Sequence, residues 1–116
     1  MEKNWKIVIE EEFKNCLKKF PELENVGLLI ESCSELSGAI GRQGDKKLVI
    51  LFVPPVLEDK PQTLRPIIFH ELSHFIDLNN PDRIFNERAD EQSKKLWQIL
   101  REANALKCIV EKKEAK

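Results

Sequence analysis

Apolar residues recur every three or four positions at Trp5, Ile9, Phe13, Cys16 and Phe20, the period that lines one face of an α-helix. Pro21 ends the run, so the spacing predicts an amphipathic first helix over residues 5–20 whose stripe serves to pack. The apolar block VGLLIESC, residues 26–33, has the length and composition of a mostly buried strand. Residues 37–42 and 47–53 flank Gln43-Gly44-Asp45-Lys46, a turn-rich link of hairpin length that adds two more strands. Pro54-Pro55 closes the sheet, and the chain restarts as a helix near residues 61–64, with Asp59 or Thr63 as cap and Pro66 inside the first turn. That second helix carries IIFHELSHFIDL, residues 67–78. Asn79-Asn80-Pro81-Asp82 breaks it, after which Phe85, Ala89, Leu96, Ile99, Leu100 and Ala103 form the stripe of one long third helix. The Lys- and Glu-rich residues 111–116 are expected to fray. This order reads as an α+β fold: a three-stranded sheet with a hairpin, packed on an N-terminal helix, a central helix and a C-terminal helix, in one domain over residues 1–116.

Composition narrows the function classes. Hydrophobic residues at 41% and charged residues at 34% describe a globular chain, and 19 Lys+Arg against 20 Asp+Glu leave no basic footprint, so nucleic acid is not an expected partner. The longest nearly apolar run, residues 48–57, is too short for a bilayer and is cut by prolines, so no membrane span is expected. The N-terminus lacks the features of a secretory signal, and the three cysteines form no C-x-x-C pair, which together lead us to expect a cytoplasmic protein with reduced, structural thiols.

The only two histidines, His70 and His74, stand four residues apart, with Glu71 directly after the first. On a helix they lie one turn apart on the same face and can aim both imidazoles at one point, as a zinc clamp requires. Glu71, rotated by about 100° from His70, falls beside such a metal and can take a proton from an activated water. Leu64, Ile68, Leu72, Phe75 and Ile76 share one face of this helix while His70, His74 and Asp77 share the other, which argues against two core histidines. Catalytic zinc takes three protein ligands and leaves the fourth position to water. With no third histidine, the remaining ligand is a carboxylate or, less readily, a cysteine. An antiparallel third helix would return NERADE, residues 86–91, toward the histidines and makes Glu87 the first choice. Glu91 and Asp90 stand in reserve, Asp90 alternatively as acceptor for the other N–H of a zinc-bound imidazole. Asp77, on the same helix as the histidines, would be crowded.

HELSH followed after a short break by NERAD resembles the gluzincins, zinc metallopeptidases with two histidines from H-E-x-x-H and a downstream glutamate. The chain's size is similar to that of the minimal single-domain minigluzincins. Its element order is also similar to the catalytic core of cytoplasmic peptidases that act on phage repressors and stress regulators. The resemblance spans residues 26–100, and its most specific part is the five-residue motif. It implies a zincin-like fold, a Zn2+ cofactor, His70, His74 and Glu87 as ligands, and Glu71 as general base and acid in peptide hydrolysis. One departure stands out: several gluzincins carry an acidic residue four positions after the ligand glutamate, whereas here Asp90 is three along and Glu91 four. The resemblance also implies that an edge strand binds substrate as an added β-strand, and the arm with Gly38, Ala39 and Ile40 is the one we nominate.

The chain has no tyrosine and no further histidine to steady an oxyanion, so Arg83, Arg88, Lys94 or a backbone N–H would have to do so. A latent, zymogen-like state is one consequence, with residues 111–116 or Cys33 as a fourth ligand closing the site. Two function classes therefore stand side by side: a zinc endopeptidase acting on a peptide or protein, and a non-catalytic zinc-containing interaction or regulatory domain. A metal-free helical module would leave both histidines idle. Trp5 and Trp97 are the candidates for self-association.

Overall fold

The structure, a computed structural model, describes residues 4–102. It is α+β, with four α-helices and one three-stranded mixed sheet. Helix α1 spans Trp5–Leu17 and starts where the Asn4 side chain accepts the Lys6 N–H at 2.8 Å. Its stripe buries Ile9, Phe13 and Cys16, and Phe20 is buried just past its end, so the periodicity outlasts the helix by one turn.

Strands β1 (Val26–Ser32), β2 (Ser37–Gln43) and β3 (Lys46–Val53) lie in the order β1-β3-β2. The β2-β3 hairpin closes through Gly44-Asp45, where Gly44 takes a φ of +63° that a side chain would resist. β1 pairs with β3 in parallel, which makes β1 an edge. The expectation of a mostly buried first strand is corrected here: no β1 residue is fully buried, because the core covers Val26, Leu28 and Ile30 only in part and Leu29 and Glu31 on the opposite face are exposed. On the inner face Val49, Leu51 and Val53 are fully buried beneath α1 and helix α2, Arg65–Ile76. A short 3-10 turn at Pro61–Leu64 leads into α2, with Pro66 in its first turn.

The long third helix does not form. The chain makes α3 (Pro81–Arg88), turns extended at Ala89, and restarts as α4 (Glu91–Glu102). Asp90 drives the restart by accepting the Ser93 N–H at 2.7 Å, an N-cap bond that a continuous helix would not need. Ala103, Cys108 and the expected frayed end at residues 111–116 lie outside the described residues. Among those described, no helix is long and apolar enough to cross a membrane.

Candidate metal centre

Helix α2 is buried almost all round: Ile67, Ile68, Phe69, Glu71, Leu72 and Ser73 are fully buried and His70 is only 9% exposed. The sheet and α1 pack on it from one side, and α3 and α4 also pack on it. The histidine face, expected to look away from the core, is therefore covered as well. Trp97 of α4 stacks on the His70 ring at 4.4 Å between centroids with 24° between planes, and Phe85 of α3 supports the indole at 5.3 Å. Neither Trp97 as a cover nor α4 as the covering element was legible in the motif.

His70 and His74 lie as the i, i+4 spacing requires. Their rings are perpendicular, and their Nε2 atoms are 3.2 Å apart. Two nitrogens bound tetrahedrally to one zinc at about 2.05 Å each are separated by about 3.3 Å. The pair thus fits the two-histidine half of a zinc site. The other half is not assembled: among the described residues, no three His, Cys, Asp or Glu side chains come together to hold a metal ion.

Glu87, the expected third ligand, is over half exposed and accepts from Arg83 Nη1 at 3.2 Å, an i,i+4 pair along α3. Asp90 is engaged elsewhere, receiving Arg65 Nε at 2.8 Å besides capping α4, so the structure does not place it as the imidazole's acceptor. Burial opposes ionisation of Asp90, but the hydrogen bonds from Ser93 and Arg65 outweigh it and hold the carboxyl below its ordinary range. Glu91 is exposed beside Lys94. Asp77 ends α2 and accepts the Asn79 and Asn80 N–H groups at 3.1 and 3.0 Å, a turn-closing role. An acidic side chain that the motif spacing did not single out approaches His70: Asp82 Oδ1 stands 3.9 Å from Nδ1. The available signal was its place in the first turn after Pro81, where the break folds the chain back toward α2.

Glu71 lies against β2. A Cβ placed on Gly38 would meet Glu71 Oε2 at 3.0 Å and Ile67 Cγ2 at 2.9 Å, so only glycine lets the carboxyl pack so closely on the strand. Gly38, Ala39 and Ile40 do lie on an edge strand, since β2 has β3 on one side and no described strand on the other.

The remaining candidates are dispersed. Arg88 donates to both Glu22 carboxylate oxygens and to the Lys19 carbonyl, Arg83 to Glu87 and Asp77, and Lys94 to Glu91. None of these bonds brings a cation to the histidines. Cys33, in the link between β1 and β2, is half-buried and does not join a metal-holding group. Trp97 is occupied within its own chain, and Trp5 packs partly against the core. No family model, no curated protein and no solved structure matches the chain.

Proposed function

We propose that the protein is a zinc-dependent metallopeptidase of gluzincin type, zincin-like in fold, held latent by its own covering helix. The observation that carries this reading is the convergence of His70 Nε2 and His74 Nε2 to 3.2 Å, the separation of two zinc ligands. His70 and His74 would hold the metal through Nε2, with Glu87 supplying the carboxylate after a side-chain movement and Asp82, on the Nδ1 side of His70, orienting that ring. Bound there, zinc would supply a Lewis acid that polarises a carbonyl and acidifies water. The rest falls to the chain's own groups. Glu71 takes a proton at its carboxylate and returns it to the leaving amine. The open edge of β2 offers backbone donors and acceptors to an extended peptide, and Gly38 sets that strand directly against the base.

A second reading, a non-catalytic zinc-containing interaction or regulatory domain, draws support from Trp97, whose indole lies on His70 where a working site would need access. Zinc content and casein proteolysis with and without chelator separate the two. For the peptidase, one zinc per chain is expected, Trp97→Ala cleaves casein faster than the parent chain, chelator abolishes that cleavage, and Glu71→Gln in the same background keeps zinc while losing about 100-fold or more in rate. Zinc bound with casein left intact, also after Trp97→Ala, would favour the second reading, and no zinc retention would defeat both.

A further inference from the structure

The sheet is covered from one side only. The helices that pack on it, α1 and α2, meet the face of Val49, Leu51 and Val53, and alternation sends Leu48 and Ile50 to the other face. The pairing register adds Leu29 and Ala39, both opposite Ile50. Leu29 is 42% exposed, and Leu48, Ile50 and Ala39 are half-buried without joining the core cluster. β1 and β3 run parallel, an arrangement that is ordinarily buried on both faces. A contiguous apolar sheet face of this kind marks a contact surface.

Its charges identify the occupant. At one end Lys46 lays its side chain over Gly27, where a Cβ would come within 2.6 Å of Lys46 Cε. At the other end of the same face stands exposed Glu31, level with Phe52 in the register. Six residues of β3 separate the two levels, about 20 Å at roughly 3.3 Å per residue. A patch that is apolar in the middle, positive at one end and negative at the other complements its own copy turned by a two-fold rotation. We infer that the protein forms a face-to-face homodimer through this side of the sheet, with Ile50 at its centre and Lys46 of each copy against Glu31 of its partner. Three strands about 4.8 Å apart and seven residues long present a plane of only about 300 Å² per copy, which makes the dimer weak and concentration-dependent. The contact lies on the opposite side of the sheet from α2, so it stands independently of the metal site.

Sedimentation equilibrium of the full chain over a concentration series tests this. The mass should rise from 13.5 kDa toward twice that value by about 100 µM. Ile50→Asp should stay monomeric with an unchanged circular dichroism spectrum. Glu31→Lys, a surface change that spares the core, should weaken association about tenfold, and adding Lys46→Glu to it should restore the affinity to within about threefold. A wild-type monomer throughout the series overturns the inference, as does a dimer indifferent to both Ile50→Asp and the charge reversals.

Discussion

Gly38 is the residue on which the candidate site is most tightly built. Its backbone sits in a strand without unusual torsion, so its value lies in the missing side chain, which admits Glu71 Oε2 and Ile67 Cγ2 to the strand. Gly38→Ala forces one of them to move, at a cost of about 1–3 kcal/mol, the range for overpacking a filled core. Denaturant unfolding should report that loss, and casein cleavage should fall with it because the displaced group is the proposed base. Activity unchanged in a destabilised variant would separate Glu71 from the chemistry. Cys16 is the opposite case, a residue whose chemistry is suppressed: burial pushes its thiol up to about 12, consistent with the structural role expected of it.

At the scale of elements, the joint between α3 and α4 decides whether the histidines are covered. Asp90 caps α4 and receives Arg65 of α2, which also reaches Glu12 of α1, so one guanidinium between two carboxylates joins three helices. Asp90→Ala should lower stability by about 1–2 kcal/mol through the lost cap, with Asp90→Asn in between because an amide still accepts the Ser93 N–H. Trp97 fluorescence in a Trp5→Phe background provides the readout, since a loosened α4 withdraws the indole from His70. A variant as stable as the parent with unchanged emission would show that tertiary packing alone holds α4.

Across the whole molecule, surface pairs tie distant segments and set the acid limb of stability. Arg88 donates to both oxygens of Glu22 at 2.7 Å and holds that carboxyl down at about 2, against an ordinary value of 4.5. A carboxyl lowered in the folded state binds fewer protons there than in the unfolded chain, so its contribution is present above pH 4.5 and is lost as pH falls toward 2. Asp90, also lowered, acts in the same direction. The thermal midpoint should therefore decline over that window, and Glu22→Gln should flatten the decline. Both charges are accessible to solvent, so salt should shrink the effect. An acid limb unchanged in Glu22→Gln would assign the effect to other groups.

The sequence by itself determined what depends on spacing along the chain. Helical periodicity placed α1 and α2, the turn at Gly44-Asp45 placed the hairpin, and the four-residue spacing of His70 and His74 put both rings one turn apart on the same face, from which their Nε2 atoms meet at 3.2 Å. Tertiary structure decided what depends on contacts between elements. The apolar stripe from Phe85 onward has the same period in one helix or two, and the break at Asp90 arises from a local cap together with a bond to distant Arg65. With that break Trp97 lies on the imidazole, while Asp82 approaches His70 from the start of α3 and Glu87 stays paired with Arg83 along the same helix. Strand order is likewise a long-range choice: only the pairing of β1 with β3 makes β2 an edge beside Glu71.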